Sequence, residues 1–198
     1  LKRKKMHLHS VSGHMYRGKP IYAAIWYPAR RDRQIVKIGL NSQSFRKEMA
    51  RLTKRGYRLQ HLDGFGAGRH ASLAGIWDKA KPGAPILELD LHHKGFQAKF
   101  DKYKRRGYRL EHLTAYHWRG KDRYSAVWLR EKPKRMMVHH GMNGSRFQVR
   151  YDNLHYRGYD VKHLVAFSRG DGKFAAMWRP RRGALSDADF SKIRDEAE

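Results

Sequence analysis

This 198-residue chain carries 44 lysines and arginines against 18 aspartates and glutamates, a formal charge of +26, and has no cysteine, which excludes disulfides, thiolate zinc sites and a cysteine nucleophile. Its hydrophobic residues make up 40% and are patterned, which marks a folded chain rather than a disordered polycation, and no apolar run reaches the ~18 residues of a membrane-spanning helix. A field of this sign attracts polyanions and speeds their encounter without selecting one.

In chain order, Met6, Leu8 and Val11 open a strand, and Tyr16-Arg17-Gly18-Lys19 reads as a hairpin turn into a second strand, Tyr22-Ala23-Ala24-Ile25-Trp26. A third strand follows over 34–38. Phe45, Met49 and Leu52, at i, i+4 and i+7, then predict one helical stripe, with Ser44 as N-cap. Gly56 suits the left-handed position that ends such a helix. Tyr57 restarts the cycle: a turn at 65–69, Leu73-Ala74-Gly75-Ile76-Trp77, a strand over 86–91, and a helix on Phe96, Phe100 and Tyr103. Gly107-Tyr108, the Trp118–Lys121 turn, Tyr124-Ser125-Ala126-Val127-Trp128, a strand over 135–138 and a helix on Phe147, Tyr151 and Leu154, capped by Ser145, form the next cycle. The last has Gly158-Tyr159, the 168–173 turn, Phe174-Ala175-Ala176-Met177-Trp178 and a helix with Phe190. The middle of each tryptophan strand is small (Ala24, Gly75, Ala126, Ala176), which predicts a neighbouring element packed close to that face.

The four tryptophans lie 51, 51 and 50 residues apart, and Gly56, Gly107 and Gly158 keep the same period. Such a period denotes one supersecondary unit used repeatedly. The expected fold is α+β: four tandem β-β-β-α repeats in a single domain, 1–198, with strands over 6–38, 57–91, 108–138 and 159–178. The helices fall at about 43–55, 94–106, 145–157 and 186–198. Trp178 and Phe190 are 12 residues apart where the other repeats have 19, so the fourth repeat is expected to lack its third strand. The acidic terminal helix (Asp187, Asp189, Asp195, Glu196, Glu198) complements Lys2-Arg3-Lys4-Lys5, which predicts a pseudo-fourfold, barrel-like or curved assembly with its ends close together.

The F-x-x-x-[FY] helix, glycine-tyrosine strand, turn and aromatic-A-A-x-W strand resemble the bacterial tandem repeat domain family. The resemblance covers nearly the whole chain. It implies a non-catalytic partner of serine-β-lactamase-related hydrolases, including fungal polyglycine hydrolases, and a secreted or cell-surface location.

Ser44-Phe45-Arg46-Lys47 fits the S-x-x-K of such hydrolases, but no S-D-N or K-[ST]-G accompanies it and Phe45 is the repeat's helix anchor. His61, His112 and His163 share one strand position. Around a common axis they would converge on a metal or an anion; the alternative is an imidazole bonded to a backbone carbonyl in each repeat. Adjacent pairs such as His92-His93 and His139-His140 point to opposite faces of a strand and chelate poorly. Arg169-Gly170-Asp171 is an integrin-like tripeptide, yet Arg-Gly also occupies the equivalent tips at 17–18 and 119–120.

The remaining signal is cationic. Arg17, Lys19, Arg69, Arg119, Lys121, Arg169 and Lys173 sit at turn tips, and Arg55, Arg105, Arg106 and Arg157 at helix ends, where the dipole favours them. Repetition would align them as a polyanion-binding belt, with Tyr16, Tyr116 and Trp118 as exposed aromatics. The expected function is a non-enzymatic binding module for an acidic polymer, a sulfated or phosphorylated glycan. The alternatives are nucleic-acid binding, or a substrate-positioning accessory domain that presents a protein to a serine hydrolase. No cofactor, metal or membrane span is expected, and the chain is expected to be monomeric.

Overall fold

The computed structural model describes residues 6–28, 33–67, 70–81, 83–130, 135–167 and 172–184. Its elements are β1 (Met6–Tyr16), β2 (Lys19–Pro28), β3 (Gln34–Leu40), α1 (Ser42–Lys54), β4 (Tyr57–Ala67), β5 (His70–Lys79), β6 (Ile86–Leu91), α2 (His93–Arg105), β7 (Arg109–Trp118), β8 (Lys121–Leu129), β9 (Met137–Met142), α3 (Gly144–Tyr156), β10 (Tyr159–Phe167) and β11 (Lys173–Pro180). The chain packs as two compact units, Leu1–Lys132 and Pro133–Glu198. No helix among the described residues is long and apolar enough to cross a membrane.

The β-β-β-α order holds along the chain, and the sheets show how it is used. In the first unit they run β1-β2, β3-β5-β4 and β6-β8-β7; in the second, β10-β11-β9, all pairings antiparallel. The third strand of each cycle therefore joins the hairpin that follows it. Strands β3 and β4 run parallel, with β5 between them. A parallel pair needs a long crossover, and α1 supplies it. The spatial unit is thus β-α-β-β, and the first hairpin has no third strand or helix among the described residues; no strand follows β11 as far as residue 184, and the rest of the expected fourth cycle lies outside the described residues. The four sheets are separate, none closed into a barrel. The predicted helix 186–198 and its contact with residues 2–5 lie outside the described residues.

The helices begin one residue earlier than expected. Their caps are Asn41, His92 and Asn143, whose side chains accept from the backbone N–H three residues on at 2.8, 3.0 and 2.9 Å. Ser44 is the residue whose N–H is capped, so the proposed serine caps fall inside the first turn. Gly56, Gly107 and Gly158 close the helices at φ 75, 76 and 81°, as their spacing predicts.

Each helix lies on its sheet through one phenylalanine. Phe45 packs on Trp77 with ring centres 5.4 Å apart, Phe96 on Trp128 at 6.2 Å, and Phe147 on Trp178 at 6.3 Å. A Cβ on Gly75 would meet the Trp77 ring at 2.3 Å. At Gly75 the indole two positions on folds back over the backbone and leaves no room for a Cβ. Every hairpin also carries a β-bulge at one register: between Leu8 and Ser10, Leu59 and His61, Leu110 and His112, Val161 and His163. Trp26, over which no helix lies among the described residues, is 43% exposed, while Trp77, Trp128 and Trp178 are buried.

Within the first unit the repeats pack side by side. Leu8 and Val11 of β1 are buried with Ala74 and Ile76 of β5, and Leu59 and Leu62 of β4 share a core with Val127 of β8. The Gly13 N–H donates to Asp63 Oδ2 at 2.8 Å. A Cβ on Gly13 would lie 2.2 Å from the Phe65 ring.

Trp128→Ala is expected to cost about 3–5 kcal/mol, as for other buried aromatics, and Trp26→Ala about 0.5 kcal/mol or less, measured by urea unfolding. Equal losses would contradict the helix-on-tryptophan account.

Candidate binding surface

Two hairpin tips are built alike. Arg17-Gly18 joins the paired residues Tyr16 and Lys19, and Arg119-Gly120 joins Trp118 and Lys121. Both central residues are left-handed: φ is 47 and 78° in the first turn, 50 and 71° in the second. Two such residues make the type I′ turn, whose twist matches that of the strands. Asparagine, aspartate or glycine normally takes the first place; a larger L-residue there costs roughly 1–2 kcal/mol. The Arg17 guanidinium lies over the Tyr16 ring at 5.4 Å, and that of Arg119 over Trp118 at 4.9 Å. Arg17, Lys19, Arg119 and Lys121 are all exposed. Each tip thus presents a cation backed by an aromatic face, with a lysine beside it.

At the helix ends, Arg55 and Arg106 are exposed C-cap residues and Arg105 is the exposed last residue of α2. Lys79 Nζ lies over the Tyr57 ring at 4.9 Å and donates to the Arg55 carbonyl at 2.5 Å, and the Arg55 guanidinium lies over the same ring at 5.8 Å. Arg157, the equivalent in α3, departs from expectation. It is only 9% exposed, lying over the buried Tyr159 ring at 5.8 Å, and belongs to the core boundary rather than a binding belt. Lys173 is exposed on β11; Arg69 and the Arg169-Gly170-Asp171 tripeptide lie outside the described residues.

Every aspartate and glutamate among the described residues is already engaged: Glu48 with Arg51, Asp63 with Gly13, Asp78 with His7 and Gln34, Glu88 with Lys99 and Tyr103, Asp90 with Ser42 and Tyr116. Asp101 accepts from Gln97, Glu111 pairs with Arg58 and Arg109, Asp122 with His117, Asp152 accepts from Gln148, and Asp160 pairs with Arg181. The Arg51 bond holds the Glu48 carboxyl below its usual range. Burial pushes Glu111 up, but Arg109 outweighs it and the group is held low.

His61 and His112 each bond a backbone carbonyl rather than share a ligand. His61 Nε2 donates to the Val11 carbonyl at 2.7 Å and His112 Nε2 to the Leu59 carbonyl at 3.0 Å, each reaching the first strand of the preceding repeat. A carbonyl can only accept, so the bond fixes the tautomer. His163 is half-buried on β10, in the other unit. Among the described residues no group of three or more His, Cys, Asp or Glu side chains could hold a metal. Of the three aromatics expected at the surface, Tyr16 is exposed, Trp118 packs partly against the core and Tyr116 is buried.

Tyr116 belongs to a polar knot peculiar to the third repeat. Its hydroxyl donates to Asp90 Oδ1 at 2.6 Å and lies 2.8 Å from Ser125 Oγ; Ser42 bonds the other Asp90 oxygen. Burial and the Asp90 charge push the tyrosine pKa up, keeping it a donor. Asp90 sits at φ 60°, where the neighbouring repeats have Gly39 and Gly141 at 74 and 67°. The signal was present in the sequence as three joint departures: Asp for Gly at 90, Tyr for Phe at 116, Ser for Ala at 125.

A family model described as "Polyglycine hydrolase-like, structural repeat" matches residues 1–29, 35–80, 87–131 and 135–181. The chain belongs to this family. The last three polyglycine hydrolase-like repeats each span one strand, helix and hairpin, so their frames coincide with the three-stranded sheets; the first match covers a hairpin alone. Comparison with curated proteins gave no significant match.

Asp90→Gly relieves roughly 1 kcal/mol of left-handed strain but removes two bonds to a carboxylate at about 1.5–3 kcal/mol each. A net loss of about 2 kcal/mol in urea unfolding is expected, and a gain would show that the knot contributes nothing. His139, edge-on to Trp178 at 5.4 Å, has its pKa lowered by burial and then by Arg150. The unfolded chain therefore binds that proton first, and stability should fall as pH drops below about 6.5 toward the folded-state value. His139→Gln should flatten this part of the melting-temperature profile; an unchanged profile would rule His139 out as its source.

Proposed function

We propose that this chain is a binding module without chemistry of its own, which holds an acidic polymer, a sulfated or phosphorylated glycan, through the cations of its hairpin tips and helix ends. The observation that carries this reading is the pair of arginines kept in left-handed backbone, each over an aromatic ring. Such strain persists where the surroundings enforce it and points toward function. A guanidinium fork suits the oxygens of a sulfate or phosphate, and a ring beneath it limits the entropy lost on binding. Tips repeated along one chain add avidity for a polymer that a single charged group would not receive. The location outside the cell or at its surface rests on the family resemblance.

Nucleic acid is the second reading, favoured by Tyr16, which is exposed beside Arg17 and offers a base a stacking face. Presentation of a protein substrate to a hydrolase is the third; it draws on the family's description.

The test compares a sulfated polysaccharide, single-stranded RNA and duplex DNA across a salt series. Arg17→Gly with Arg119→Gly is the informative variant, because glycine relaxes both turns and the fold should melt at an equal or higher temperature. Weaker binding to the polysaccharide and a shallower salt dependence are expected; on duplex DNA each lost phosphate contact would reduce the slope by about 0.9. Arg157→Gln should lower stability and leave binding unchanged. Unaltered affinity in the glycine variant would refute the tips as the site, and a preference for RNA would move the reading to nucleic acid.

A further inference from the structure

The first and fourth hairpins expose the two complementary halves of a contact that is buried inside the first unit. There, the first strand of one repeat presents aliphatic side chains (Leu8 and Val11; Leu59 and Leu62). The tryptophan strand of the next receives them through the residue just before its tryptophan, Ile76 or Val127. On β2 the receiving residue is Ile25, 62% exposed, with Ala23 and Ile21 exposed on the same face. On β10 the presenting residue is Leu164, 46% exposed, although its counterparts Leu62 and Leu113 are buried. Ala166, two residues on, is exposed as well.

We propose that a second copy of this chain covers these faces, β10 of one copy packing on β2 of the next, so that the repeat-to-repeat contact continues between molecules. This replaces the expectation of a monomer. The two surfaces differ, so the contact is heterologous and propagates head to tail until a ring closes or a filament forms. Where His61 and Asp63 of the second repeat bond back to the preceding strand, the first repeat has Ser10 and Ser12. The intermolecular contact therefore rests on its aliphatic side chains. A net charge of +26 on each copy opposes it. Raising salt from about 0.15 M to about 1 M shortens the screening length from about 8 to about 3 Å, so association should strengthen with salt, the reverse of polyanion binding.

Sedimentation velocity on the full chain, over a concentration series at both salt levels, provides the test. Self-association that grows with concentration and salt is expected. Ile25→Asp and Leu164→Asp should each abolish it while leaving the thermal melt unchanged, since both side chains are exposed. An equimolar mixture of the two variants retains one intact face of each kind and should form a dimer and stop there. A wild-type chain that stays monomeric, assemblies that survive in either variant, or a mixture that forms no dimer would each overturn the proposal.

Discussion

A helix phenylalanine lying against a sheet tryptophan is the contact on which each repeat depends. A 13-residue helix rich in lysine and arginine is marginal alone in water, and an isolated hairpin fares little better. The indole turns back over a small residue and makes a flat platform; Phe45, Phe96 or Phe147 sits on it. The crossover from third strand to next hairpin delivers the helix to that platform and supplies the sheet's third strand at the same time. Among the described residues the first hairpin has neither, and β2 is open to solvent along nearly its whole length, tryptophan included.

Much of this was legible because it is periodic. Tryptophan, glycine-tyrosine and phenylalanine spacings reveal the elements and their order. A period has no phase, however, and β-β-β-α and β-α-β-β are the same string read from different starts. Which hairpin takes the third strand is decided by pairing between segments far apart, and that leaves no mark in the spacing. Asn41 and Ser44 are both competent caps, and only the helix's true first turn separates them. Arg55 and Arg157 hold one register, each over the tyrosine that follows its helix, yet Tyr57 is half-buried and Arg55 exposed while Tyr159 and Arg157 are buried. The shared histidine position is visible in the sequence, but its meaning depends on whether the repeats face an axis or one another's backbones. The polar knot at Asp90 is written only as joint departures from the pattern on which the copies agree, at 90, 116 and 125.

Charge follows the same division between scaffold and surface. Many of the described carboxylates are used within the fold: they bond backbone on a neighbouring strand, receive tyrosine hydroxyls and neutralise the buried Arg109.

Charge also couples the cationic surface to the open apolar faces. Copies of this chain repel one another over a screening length of about 8 Å at physiological salt, and that repulsion acts against any contact between β2 and β10. An acidic polymer that bridges tips on two copies removes the repulsion and raises their effective concentration. By linkage, whatever binds the associated state more tightly also promotes association, and association strengthens that binding in return. On the two proposals together, the strained arginines and the uncovered Ile25 and Leu164 serve one end: a repeat array whose length would respond to the polymer it holds.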